Sequence, residues 1–265
     1  MPINLKQDLH THSTFSDGAH SLMENIREAE RRGLETLATT DHVRRQTVWL
    51  PDYVRTMDAL RAETSVKLLC GVEAKLLNVR GDLDLPSNIE GVELIQIADH
   101  SFPLGEHFYT PSAIRVMHQD GILSRREIVD SLVNATVRAM ERYSDRGPQL
   151  VLAHLFSILP KINFNEIVDI RDEDITRIAT TARETGTFIE VSERWRCPHF
   201  HTVKMLSELG VTIVASSDAH RAEQIGRFDQ YVRPMNALLN ARNLRELGQS
   251  EAEYREPDFL MLDAL

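Results

Sequence analysis

Seven short apolar runs, separated mostly by amphipathic stretches, constrain this chain more than any other feature. The runs are "NLKQDLHTH", "ETLATTDH", "VKLLCGVEAKLL", "VELIQIADH", "QLVLAH", "GTFIEVSE" and "VTIVASSDAH". Strands alternating with helices indicate an α/β chain built on a parallel sheet. Continuous apolar runs such as "VTIVA" and "LVLA" are expected where both faces of a strand are covered. No glycine-rich loop follows the first run, so a dinucleotide-binding doubly wound sheet lacks its main signal. The expected fold is therefore a closed or nearly closed barrel. A length of 265 residues suits one large α/β domain, or at most two small ones.

The connecting stretches carry helix signals. Leu22, Ile26 and Ala29 recur at helical spacing, and Gly33 is placed to end that helix. Ser124 followed by Glu127 is a capping-box pattern. Gly186 and Gly210 close two further helices. "SFPLGEHFYTPSAIRVMHQDG", after His100, reads as a long loop of the kind used for lids or substrate contacts. The tail from about residue 250 to 265 is acidic and then apolar, and is expected to be docked or to contact another subunit.

Composition removes several classes. A net charge of -10 argues against a generic basic nucleic-acid surface. Two cysteines, Cys70 and Cys197, supply neither a disulfide framework nor a cysteine zinc finger. No basic segment followed by an apolar one opens the sequence, and no run reaches the roughly 18 apolar residues of a membrane span. A cytoplasmic enzyme with no membrane partner is expected; oligomeric state is not legible.

The ionisable residues fall at the ends of the runs. His10 and His12 end the first, His42 the second, Glu73 the third, His100 the fourth, His154 the fifth, and Asp218 and His220 the seventh. Asp17 follows in the loop after His12. In a parallel barrel those strand ends form one rim, where active sites are built. Residues i and i+2 of a strand share a face, so His10 and His12 can aim at one point, as can Asp218 and His220. Asp8 shares the parity of His10 and could orient a histidine from behind.

Any one of these histidines alone is more often a hydrogen-bonded core or surface residue. Together, six of the eleven histidines plus Glu73 and Asp218 at six strand ends are improbable by chance. Such a cluster would be costly in a barrel mouth without compensation. Divalent ions remove that cost, because neutral imidazole and carboxylate are ordinary ligands of zinc, manganese and iron. Eight or nine ligands exceed the four of one tetrahedral zinc, so two or three ions with a bridging carboxylate are implied. Ions roughly 3.5–4 Å apart can clamp the attacking and leaving oxygens of phosphoryl transfer and acidify bound water to a pKa near 7.

"DLHTHSTFSDG", "TTDH", "GVE", the lone His100 and His154, and "SSDAH" resemble, in order, the successive motifs of the PHP (polymerase and histidinol phosphatase) superfamily. The resemblance runs from Asp8 to Gly226. It implies a single distorted (β/α)7 barrel domain over residues 1–265 with a three-metal centre. It also implies ligand sets. His10, His12, Glu73 and Asp218 would hold one ion; Glu73, His100 and His154 a second; Asp17, His42 and His220 a third. Asp17 stands where some relatives carry histidine. The activities implied are phosphoester hydrolyses.

A phosphate needs positive charge beyond the metals, and arginine supplies it bidentately. Arg194 is the leading candidate, in "SERWRCPHFH" after the sixth run, with Arg196, Arg115 and Arg227 beside it. Arg44, Arg45 and Arg221 lie near the same rim, although a single loop arginine is usually just solvated. Trp195 and Phe102 could stack a ring or belong to the core. His199 and His201 look like helix N-terminal residues, and His20, His107 and His118 like bystanders. The expected function is a metal-dependent phosphomonoesterase acting on a small phosphorylated substrate, with Glu73, Asp218 and His220 catalytic. His220 or another rim histidine would donate the proton. The alternatives are a 3'-5' exonuclease on short oligonucleotides, an amidohydrolase-type metal hydrolase, and a non-catalytic metal-sensing scaffold.

Overall fold

The computed structural model describes residues 2–241. Seven strands form one parallel sheet: β1 Gln7–Asp8, β2 Thr36–Val43, β3 Lys67–Lys75, β4 Leu94–Ala98, β7 Gln149–Leu152, β8 Phe188–Ser192 and β9 Ile213–Ser216. Between β4 and β7 lies a small antiparallel hairpin, β5 Phe102–Leu104 with β6 His107–Tyr109. Sheet order follows sequence order throughout, as right-handed crossovers in a barrel require. The first and last strands meet: Leu9 N–H donates to the Ala215 carbonyl at 3.3 Å and His12 N–H to that of Ala219 at 2.8 Å. A parallel bridge joins Thr11 to Ala219. The sheet is thus a nearly closed α/β barrel.

Helices α1 Leu22–Arg31, α2 Leu50–Leu60, α3 Pro111–Gln119, α4 Arg125–Tyr143, α5 Glu166–Asp169, α6 Asp172–Thr185, α7 Phe200–Glu208 and α8 Val232–Asn240 fill the connections. Both Ser21–Glu24 and Ser124–Glu127 form complete capping boxes; a serine N-cap stabilises a helix by about 1 kcal/mol. Gly186 closes α6 at φ 67, a left-handed turn glycine adopts without steric cost.

Inside the barrel, side chains alternate along each strand. Leu9, Ala38, Leu94, Val151 and Val214 make an apolar floor, with Leu69 and Phe188 packed on it. Two to four residues further on, on the same face, stand His42 after Ala38, Glu73 after Leu69 and Glu190 after Phe188, and Asp218 joins them from the left-handed turn just past β9. The strand period thus sets an apolar floor beneath a polar mouth.

One expectation needs correction. The segment read as a long loop after His100 is the β5–β6 hairpin followed by α3. Thr110 caps α3, Pro111 sits in its first turn and Ile114 is buried. Gly105 marks the hairpin turn and Pro111 the start of α3, so residues that read as a loop bound short elements. Of the two readings of Phe102, the core one holds: it is 1% exposed. The tail from about 250 to 265 lies outside the described residues. Among the described residues no helix is long and apolar enough to cross a membrane.

Candidate metal centre

Glu73 is the hub of the mouth. Its carboxylate, 2% exposed, faces five imidazoles. Oε2 lies 3.3 Å from His10 Nε2, 3.4 Å from His12 Nε2 and 2.9 Å from His42 Nδ1. Oε1 lies 3.0 Å from His100 Nε2 and 3.1 Å from His154 Nε2. The histidines come from four strand ends, brought together by the parallel register that sets Glu73 opposite His42 on one side and Gln96 on the other. Asp218 closes the ring, with Oδ1 3.2 Å from His12 Nε2 and 3.9 Å from His10 Nε2. Asp17 stands further out, Oδ2 3.5 Å from His42 Nε2 and 3.4 Å from His220 Nε2.

Three groups of donor atoms are each close enough to hold one ion: His10, His12 and Asp218; His42, Glu73 and His100; and His12, Asp17, His42 and His220. Eight of the nine expected ligand residues fall in these groups; the ninth, His154, lies outside them with Nε2 3.1 Å from Glu73 Oε1. The structure also sets His12 and His42 between groups instead of in one set each.

Electrostatics follows from burial and pairing. Burial works against the charge of Glu73, but His100 and His10 outweigh it and hold its carboxyl well below the usual range. Asp218 is lowered in the same way by His10 and His12. Burial opposes protonation of His42 and His154, yet Asp17 and Glu73 raise the first to about 10, and Asp99 and Glu73 raise the second to about 10.

Pairing leaves a remainder. His10 Nε2, both ring nitrogens of His12, Glu73 Oε2 and Asp218 Oδ1 are buried with no hydrogen-bond partner. Such atoms cost about 1–3 kcal/mol each when unsatisfied. His10 Nε2 and His12 Nε2 each lie 3.2–3.9 Å from Glu73 Oε2 and Asp218 Oδ1, while His12 Nδ1 faces Asp17 at 3.7 Å; imidazole nitrogen with carboxylate oxygen is the donor chemistry of a zinc, manganese or iron site. The residues fit a divalent metal centre. Two of them also adopt left-handed backbone, His154 at φ 30 and Asp218 at φ 50. That conformation costs a non-glycine residue about 1–3 kcal/mol and clusters at functional sites.

The supporting residues differ from expectation. Asp8 does not orient a histidine ring. β1 ends at Asp8, and its carboxylate instead accepts from Ser217 N and Gly226 N, both at 2.9 Å, tying down the loop after β9. Four residues not singled out from sequence support the ligands. Glu190 Oε2 lies 2.8 Å from His10 Nδ1. Asp99 Oδ1 lies 3.4 Å from His154 Nδ1 and accepts from Ser157 Oγ. Asp41 accepts from the backbone and hydroxyl of both Ser13 and Ser16, fixing the loop that carries Asp17. Gln96 Nε2 donates to the Leu9 carbonyl across the barrel interior. One signal was available: a lone acid inside the apolar run "FIEVS".

The arginines separate. Arg194 reaches the mouth, with Nη1 3.1 Å from His220 Nδ1 and Nε 3.9 Å from Asp218 Oδ2. Arg196 turns away to donate to Gln230 at 2.7 Å. Arg115 and Arg227 are exposed, on α3 and after the β9 loop. Trp195 is half-buried and donates from Nε1 to Asp218 Oδ2 at 2.6 Å, so it touches a site carboxylate instead of serving only as core.

Comparison with known proteins gives the family and the fold. The PHP domain family model matches residues 8–194. A probable phosphatase of Caldanaerobacter subterraneus subsp. tengcongensis is 29% identical, over 93% of this chain and 87% of the relative. A probable phosphatase of Aliivibrio fischeri is 30% identical, over 92% and 88%. A crystal structure of histidinol phosphate phosphatase from Lactococcus lactis, complexed with zinc, L-histidinol and phosphate, superposes with a TM-score of 0.66. It covers 88% of this chain and 93% of that one at 16% identity, a likeness of fold.

Proposed function

This chain belongs to the PHP domain family, and from that premise we propose that it is a metal-dependent phosphoester hydrolase acting on a small phosphorylated substrate. One observation carries the reading: five imidazoles converge on one buried carboxylate, Glu73, among buried donor atoms without partners. In the proposed centre His10, His12, Glu73 and Asp218 would hold one ion, Glu73, His100 and His154 a second, and Asp17, His42 and His220 a third. Zinc, manganese and iron all suit these ligands. When bound, such ions polarise phosphoryl oxygens and acidify water at neutral pH.

The chain's own groups bind and orient. Trp195 occupies one oxygen of Asp218 and so leaves Oδ1 to face the imidazoles. His220 Nδ1 lies 3.0 Å from the Asp218 carbonyl and 3.1 Å from Arg194 Nη1. Its Nε2 faces Asp17, 3.4 Å away, where the proposed third ion would sit.

Arg194 stands beside this ring at the mouth, with Nη1 3.1 Å from His220 Nδ1 and Nε 3.9 Å from Asp218 Oδ2. Its guanidinium fork, 41% exposed, is the proposed clasp for the phosphoryl oxygens.

The test is product release by manganese-loaded protein from histidinol phosphate, nucleoside monophosphates, sugar phosphates and short oligonucleotides, with Asp218→Ala as control. Phosphate freed from one monoester and lost in the control is the expected result. Mononucleotides released from oligonucleotides would make it an exonuclease, and no release from any substrate would overturn the reading. Arg194→Ala should raise KM about tenfold or more, as loss of a charged hydrogen bond implies; unchanged kinetics would remove it from the substrate pocket.

A further inference from the structure

Glu190 lies in β8 at 0% exposure, and none of the three ion-holding groups includes it. Burying a carboxylate there is costly unless N–H groups meet its oxygens. Two do, from different segments of the mouth. Oε2 lies 2.8 Å from His10 Nδ1, and Oε1 accepts the backbone N–H of His154 at 3.2 Å.

Each contact has a consequence for a ligand residue. A carboxylate can only accept, so the proton of the His10 ring sits on Nδ1 whether the ring is neutral or charged. The lone pair available to a metal is then on Nε2. That atom is buried without a hydrogen-bond partner, 3.3 Å from Glu73 and 3.9 Å from Asp218. The other contact acts on backbone. His154 is left-handed at φ 30, and the ladder is already over at Leu152. The hydrogen bond to its N–H pins the residue at the start of that turn, from which Nε2 reaches Glu73 Oε1 at 3.1 Å.

We infer that Glu190 is a positioning residue shared by two ion sites: one oxygen fixes the His10 tautomer and the other holds the His154 backbone. The inference rests on the metal-centre reading of the cluster. It distinguishes Glu190 from Asp99, whose carboxylate meets the His154 ring at 3.4 Å instead of linking His10 with His154.

The discriminating substitution is Glu190→Gln, which keeps size and shape but offers one acceptor where two are needed. If the amide oxygen stays on His10, the amide N–H₂ meets the His154 N–H, donor against donor. If the amide is reversed, the His10 proton is driven to Nε2, where it blocks the metal. Zinc titration should therefore show both inner ions bound about 10- to 100-fold more weakly than in the wild type, with circular dichroism unchanged. In zinc-loaded wild-type protein labelled with ¹⁵N-histidine, long-range ¹⁵N–¹H spectra should place the His10 proton on Nδ1. Wild-type zinc affinity in the variant would overturn the inference. So would a His10 proton on Nε2 in the wild type, even if the variant failed to fold. A wild-type chain that binds no zinc would bring down the metal-centre reading itself, which the first titration separates from failure of Glu190 alone.

Discussion

His10, His12, Glu73, His154 and Asp218 are each at most 4% exposed, whereas the side chains of Asp17, His42 and His220 are 52%, 33% and 22% exposed. Both groups use imidazole and carboxylate, and they stand side by side in one barrel mouth. They differ in access to water. The inner atoms without hydrogen-bond partners are shut off from water and meet the cluster's own rings and carboxylates, and a low-dielectric setting makes each unmet contact expensive. The outer groups keep part of their hydration, and solvent screens their pairing. Asp17 is nonetheless held well below the usual carboxylate range by His220 and His42, and Asp41 fixes its loop from behind. The difference divides the proposed centre into a buried inner set and an outer set that water reaches, with His100, 32% exposed, at the boundary.

The largest expected effect comes from deleting the inner hub. Glu73→Ala or Asp218→Ala should abolish turnover and lower metal content, with circular dichroism unchanged. Asp17→Ala should lower turnover only about 10- to 100-fold, on the scale of supporting residues at metal sites, and leave the inner ions bound. Equal losses from inner and outer substitutions, read by turnover and metal content, would break the distinction.

Chelation should sharpen it. Ions should leave in two phases, the exposed one first, and the second phase should lower thermal stability. An ion at a hundred times its Kd stabilises by about 2.7 kcal/mol, a loss that calorimetry detects. Loss of all ions in one phase would contradict the contrast.

The smallest effect lies outside the mouth. Glu166 accepts the backbone N–H of His199 at 3.0 Å, and burial pushes its carboxyl from 4.5 up to about 7. Between those pH values the unfolded chain has released the proton and the folded one retains it. Stability from this group is therefore present below 4.5 and is lost as pH rises toward 7. Glu166→Gln should flatten that part of the melting-temperature profile and leave metal binding unchanged. An unaltered slope would refute the assignment.

Much of the site was legible because strand period and strand order are sequence properties. Once seven runs alternate with helices, their ends must share a rim, so the residues ending them converge. His42 and Glu73 lie directly opposite each other in the parallel register, as those ends imply. What escaped was what depends on where a strand stops. Extending the first run from Asn4 to His12 gave Asp8 the parity of His10, but β1 ends at Asp8 and the chain leaves the ladder there. Arg194 and Arg196 sit two residues apart, yet a left-handed turn at Arg196 sends its guanidinium to Gln230, which no spacing rule reveals. Glu190 was visible as a charge in an apolar strand, but its partners, His10 and His154, are distant in sequence.

The most direct test of the account is metal content per chain, measured by elemental mass spectrometry after dialysis against metal-free buffer. The account predicts at least two retained divalent ions in the wild type and their loss in Glu73→Ala. A wild-type chain that retains none, or a Glu73→Ala chain that retains as many, would contradict it.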